Sequence, residues 1–140
     1  MSDSSPSVSE TNGETDTPPL PRVLLKPRRA LPFFGRHPWV FAGAISRIEG
    51  KPQPGEEVLL QTDRGEFIAR GLFNPNSNIR VRLYSWDAEQ PLNDELWIER
   101  LTQAVALREE TGLLEDFETS GCRLVFSEAD QLSGLTIDRY

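Results

Sequence analysis

The sequence of 140 residues holds one cysteine, one histidine and one methionine. A single cysteine, Cys122, cannot form an internal disulfide, so a reducing cytoplasm is the simplest setting. One cysteine and one histidine also fall short of a structural zinc set, and no metal is expected. No apolar run approaches the ~20 residues that span a bilayer, so no membrane partner is expected either. The N-terminus lacks the basic and apolar regions of a signal peptide. There is no GxSxG, no GxGxxG and no P-loop. His37 lies far along the chain from Cys122, which leaves that thiol without a base. Cys122 is expected to be a small strand residue, and no catalytic residue is assigned.

One sign of charge is absent over long stretches. Residues 1–21 hold four acids and no base. Residues 22–82 hold eleven bases against five acids, a net of +6, and residues 83–140 hold four against thirteen, a net of -9. From Arg22 to Arg47 there are six bases and no acid at all. The total of -7 argues against a chain that binds nucleic acid over its whole surface. The segregation leaves two readings open, a positive field that attracts phosphates or a solvated face that binds nothing.

Residues 1–22 are rich in Ser, Thr, Pro, Asp and Glu and have almost nothing to bury, so they are expected to form a disordered acidic tail. From Val23 the pattern changes. "VLLKP" reads as a short strand. Pro32, Gly35 and Pro38 leave room only for a short turn of helix over 28–34. "WVFAGAI" reads as one strand. "EVLLQT" and "EFIARGLF" flank Asp63-Arg64-Gly65, where Gly65 supplies the positive φ of a three-residue hairpin loop. In "IRVRLYSW", Ile79, Val81 and Leu83 alternate with Arg80, Arg82 and Tyr84, which predicts a half-buried strand with two guanidiniums outward. About five strands with turn signals every ~8–12 residues favour a small barrel or sandwich.

The period then changes. Trp97, Leu101, Ala104, Val105 and Arg108 share one helical face over 93–111, with Asn93 as N-cap and Gly112 just past the end. "CRLVFSE" and "LTIDRY" read as two further strands around a turn. An apolar-alternating stretch runs to Tyr140, and the expectation is of a piece of something longer. The fold class is therefore mostly β with one long helix (α+β), a small barrel followed by an incomplete strand-helix-strand-strand unit.

Lys26, Arg28 and Arg29 are too basic and too close together to bury, and phosphate contact is a reasonable use of them. Arg36 lies on a turn that presents it outward. His37, extended before Pro38, either caps that turn and packs on Trp39 or contacts a ligand. Alternation puts Trp39 and Phe41 on one side and Val40 on the other; Trp39 and Phe41 are expected to hold the barrel together.

"RHPWVFAGAI", "GEEVLLQTDRGEFIARGLFNPNSNIRVRLYS" and "LVFSEADQLSGLTIDRY" together carry a resemblance. Residues 23–140 resemble the N-terminal part of class I S-adenosylmethionine (SAM)-dependent ribosomal RNA large-subunit methyltransferases, the bacterial enzymes that make 5-methylcytosine in 23S rRNA. The resemblance implies a PUA-like RNA-binding barrel over 23–76 and a partial central domain over 77–140. The family's SAM-binding and catalytic domain has no counterpart here, and Cys122 does not match the catalytic cysteine. It implies no cofactor in this chain and no activity alone. Ser133 stands where the family usually has proline, which is expected to loosen a turn. The expected partner is 23S rRNA or another structured RNA, contacted through Lys26, Arg28, Arg29, Arg36, His37, Arg80 and Arg82, with Tyr84 near a base or ribose. Folded RNA is read largely by shape and phosphate, which suits scattered cations. The alternatives are a protein-interaction scaffold or a truncated product that folds poorly.

Overall fold

A computed structural model of the chain describes residues 17–114 and 121–140. Most of the expected acidic tail, residues 1–16, lies outside the described residues. Arg22 was expected to close that tail. Instead it opens the first strand, β1 (Arg22–Leu25), where it faces Glu49 and pairs with its carboxylate at 3.1 Å. A one-turn helix, α1 (Leu31–Phe34), follows, with Pro32 in its first turn, where a missing N–H is tolerated. Five more strands complete a six-stranded sheet: β2 (Trp39–Phe41), β3 (Ile45–Glu49), β4 (Glu57–Gln61), β5 (Phe67–Phe73) and β6 (Ile79–Ser85).

Strand order across the sheet is β2-β6-β5-β4-β1-β3. The β4–β5 hairpin forms around residues 63–65 as the sequence predicts, with Gly65 at φ 86°. The expected single strand "WVFAGAI" does not form. Ala42–Ala44 make a 3-10 turn, so that β2 and β3 lie at opposite edges of the sheet. This turn dictates the overall shape. Six strands laid flat would hold their edges about 24 Å apart at the usual ~4.8 Å spacing. The four chain steps from Phe41 to Ile45 reach at most ~14 Å. The sheet therefore has to curl until its edges nearly meet, and the one-letter pattern of "WVFAGAI" cannot show this. Hydrogen bonds from Lys26 N–H to the Ala44 carbonyl and from Ala42 N–H to the Asn78 carbonyl, at 2.9 and 3.0 Å, tie down the closing turn.

The curled sheet encloses a core of Val23, Leu25, Val40, Val58, Leu60, Ile68, Phe73, Val81 and Leu83, capped by Phe33 from α1. Val40 is fully buried, whereas Trp39 is half-buried and Phe41 is 41% exposed. This inverts the expected assignment: Trp39 and Phe41 do share one side, but it is the outer one. Gly71 allows β5 and β6 to approach where their register shifts, because a Cβ there would lie 2.5 Å from the Arg82 carbonyl oxygen. β6 pairs with both β2 and β5, so the expected boundary at residue 76 would cut off a strand that belongs to the sheet.

After β6 the long helix α2 (Asp94–Glu110) forms as predicted. The Asn93 side chain accepts from Leu96 N–H, and Asp94 and Glu95 lie in the first turn. At its end, Leu113 N–H bonds the Arg108 carbonyl and Gly112 N–H the Glu109 carbonyl, the two bonds of a Schellman cap. The buried line is Leu96, Arg100 and Ala104, rotated slightly from the predicted face, with Trp97 and Leu101 at its flank. Two short antiparallel strands, β7 (Cys122–Phe126) and β8 (Thr136–Arg139), pack on α2 through Val125, Leu132 and Ile137. Among the described residues no helix is long and apolar enough to cross a membrane.

Candidate nucleic-acid interface

The two turns around α1 carry the cations. Lys26, Arg28, Arg29 and Arg36 are all exposed, and among the described residues none forms an ion pair with a carboxylate. Lys26 Nζ donates to the Gly43 carbonyl at 2.9 Å, which anchors this loop to the closing turn of the barrel. Arg28 and Arg36 both have φ of 64°, in the left-handed region. A branched or long side chain is seldom held there, at a cost on the order of 1 kcal/mol or more. The strain sits at two arginines, one before and one after a four-residue helix about 6 Å long. Turns that glycine would satisfy at lower cost instead present guanidiniums to solvent.

His37 is exposed and serves the turn. Its Nδ1 accepts from Trp39 N–H at 3.3 Å, and its ring stands edge-on to Phe33 and Trp39. Arg36 also lies over the Trp86 ring, 5.8 Å from the centroid. The remaining predicted cations are placed elsewhere. Arg80 donates to the Pro75 carbonyl and has no carboxylate partner among the described residues. Arg82 is committed inward: it donates to Ser133 Oγ at 3.2 Å and lies 3.6 Å from the Glu128 carboxylate. The structure thus places Lys26, Arg28, Arg29 and Arg36 on the turns around α1, puts Arg80 on β6 beside the closing turn of the barrel, and uses Arg82 in a joint between the barrel and the α2–β7–β8 unit.

That joint is the part of the molecule that sequence reading misses. Trp39 Nε1–H donates to Glu128 Oε1 at 2.8 Å and to Ser133 Oγ at 3.3 Å. Ser133 Oγ donates to Glu128 Oε1 at 2.8 Å, and the Tyr84 hydroxyl donates to the Ser133 carbonyl at 2.6 Å. Arg100 donates to the Gln131 and Tyr84 carbonyls at 2.7 and 2.6 Å. Ser133 was expected to loosen a turn; it is buried instead, and its hydroxyl links Trp39, Arg82 and Glu128. Burial pushes the Glu128 carboxyl up, but hydrogen bonds from Ser127, Ser133, its own backbone and Trp39 outweigh that and bring it down to about 2. Burial likewise pushes the Tyr84 hydroxyl above its ordinary value. The signal for this joint lay in "LVFSEADQLSGL", whose acid and serine read only as turn residues.

The family implied by the resemblance uses SAM. A dinucleotide or SAM cradle of that class needs a parallel strand-helix-strand unit ending in a glycine-rich turn. Among the described residues α2 follows β6 and precedes β7, which pairs antiparallel with β8. The described residues do not fit the cofactor. Nor does any group of three His, Cys, Asp or Glu stand ready for a metal among the described residues.

Comparison with known proteins matches these features. A family model described as PUA-like domain matches residues 23–86, which spans β1 through β6. The chain is 38% identical over 119 residues to the Ribosomal RNA large subunit methyltransferase I of Erwinia tasmaniensis, covering 85% of this chain and 30% of that protein. It is 43% identical over 105 residues to the protein of the same name from Aliivibrio fischeri (strain MJ11), covering 75% and 26% respectively. The chain thus spans less than a third of the length of these relatives. A proposed SAM-dependent methyltransferase from Streptococcus mutans shares the fold, with a TM-score of 0.65 at 17% identity over 85% of this chain and 30% of that one. The chain carries a PUA-like domain, and over most of its length it is about 40% identical to the N-terminal part of ribosomal RNA large subunit methyltransferases I.

Proposed function

We propose that this chain is the RNA-holding part of a SAM-dependent rRNA large-subunit cytosine-5 methyltransferase, that it binds structured 23S rRNA in the cytoplasm, and that it transfers no methyl group alone. The supporting observation is the set of cations on the strained turns around α1 that form no ion pair among the described residues, in a chain whose total charge is -7. Five other arginines are matched to acids: Arg22 and Arg47 to Glu49, Arg70 to Glu57, Arg108 to Asp130, Arg123 to Asp138. Lys26, Arg28, Arg29 and Arg36 are left for an external anion. A polyphosphate backbone is the natural one for several exposed cations on neighbouring turns.

The test is charge reversal, Arg28→Glu with Arg29→Glu, followed by binding of rRNA fragments and by circular dichroism. Both residues are exposed and make no ion pair among the described residues, so folding should be unchanged while RNA affinity drops at least tenfold. Unchanged affinity in a folded variant would move the RNA contact elsewhere and favour the scaffold reading.

A further inference from the structure

The joint between the barrel and the α2–β7–β8 unit leaves a cavity of about 270 Å³ beside it, lined by Arg36, Tyr84, Trp86, Glu128, Gln131 and Ser133. We infer that this cavity is a subsite for one unpaired nucleobase of the bound RNA, stacked on Trp86 and held by Arg36 at its mouth. The inference rests on the RNA-binding reading and adds to it a discrimination between paired and unpaired RNA.

Size limits the occupant. Sites for drug-sized ligands run from ~300 Å³ upward, so this one suits a single flat ring with its sugar and no larger molecule. Its chemistry selects the ring. Trp86 is fixed: its Nε1–H donates to the Phe33 carbonyl at 2.7 Å, and its ring packs on the barrel core. An immobilised indole is the kind of platform on which any base can stack. Arg36 already lies over that ring, held by a left-handed backbone, and has no carboxylate partner among the described residues. It can give up its place on the indole to a base and turn to the neighbouring phosphate.

The facing wall is polar and comes from the other unit. Glu128 keeps its charge because its carboxyl is held at about 2. An ionised carboxylate accepts from exocyclic amino or ring N–H groups on a base edge. The Gln131 side-chain amide makes no hydrogen bond among the described residues, and so can both donate and accept. A flat apolar platform, a cation at the mouth and a mixed polar wall match the face, phosphate and edge of one nucleotide. A base inside a duplex cannot reach such a cavity, so the base must be unpaired.

The experiment uses the whole chain and two RNA hairpins that differ only by one bulged nucleotide, with 2-aminopurine placed at the bulge. The expected result is tighter binding of the bulged hairpin and quenching of 2-aminopurine as it stacks. Trp86→Leu should erase the preference, about tenfold given what base–aromatic stacking is worth, and Trp86→Phe should keep most of it. Equal binding of both hairpins, or unquenched 2-aminopurine in the wild-type complex, overturns the subsite and leaves RNA binding standing. Binding of neither hairpin overturns the RNA-binding reading itself, and the subsite with it. The quenching needs no variant, so a poorly folding Trp86→Leu would still leave the inference open to refutation.

Discussion

Val40 is fully buried, and its neighbours Trp39 and Phe41 lie on the outer side of the barrel. Alternation reveals that the three residues divide two against one, but it does not say which group faces inward. Aromatic weight favoured the pair; the curl of the sheet gave the interior to valine. The Val40→Ala variant should lose about 2 kcal/mol by urea unfolding, a fully buried side chain truncated in a tight core. By contrast, Phe41→Ala should change stability by less than ~0.5 kcal/mol, as for other surface positions. Trp39 is outside the core for a reason the sequence hides, since its partners Glu128 and Ser133 lie about ninety residues further on. Glu128 makes that contact pH-dependent. Its folded pKa of about 2 lies below the ordinary 4.5, so its stabilisation is fully present above about 4.5 and is lost as pH falls toward 2. The Glu128→Gln variant should be less stable at neutral pH and should lose less stability on acidification than the wild type. Parallel acid-unfolding slopes for the two proteins would refute the assignment.

At the scale of elements, the sequence shows most of what forms. Strand alternation, the Gly65 hairpin, the Asn93 cap and the Gly112 stop are local signals, and each element stands where its signal placed it. Asn93→Ala should cost about 1 kcal/mol, the usual loss of a side-chain N-cap, measured by thermal unfolding. What stayed hidden is long-range. "WVFAGAI" splits in two because the sheet closes there, and Arg100 is buried because carbonyls of residues 84 and 131 surround its guanidinium. Its partners are backbone carbonyls, which side-chain identities along the sequence do not display. The α2–β7–β8 unit depends on a second long-range contact, the two-pronged pair of Arg108 with Asp130 at 2.6 and 2.7 Å. Asp130 Oδ2 also accepts from Phe126 N–H at 2.6 Å. Asp130→Asn should therefore lower the urea midpoint more than Asp138→Asn, whose partner Arg123 is about half exposed. Equal effects would mean that the buried pair does not hold the unit together.

For the whole molecule, charge is spatially sorted. The acidic carboxyl-terminal unit is attached to the barrel through Arg82, Trp39 and Tyr84, while the cations around α1 form no ion pair with its acids among the described residues. A uniform charge of -7 would repel RNA; segregation leaves one attractive face. The basic block was legible in the sequence as a run from Arg22 to Arg47. Its division was not: Arg22 and Arg47 both turn to Glu49, and among the described residues the bases of the turns around α1 meet no carboxylate. The most direct measurement is the salt dependence of rRNA-fragment binding by the wild-type chain and by the Arg28→Ala, Arg29→Ala, Arg36→Ala triple variant. The account predicts affinity that falls steeply with salt for the wild type, and a slope shallower by roughly one unit per phosphate contact removed for the variant. Identical slopes in the two proteins, or wild-type affinity indifferent to salt, would contradict it.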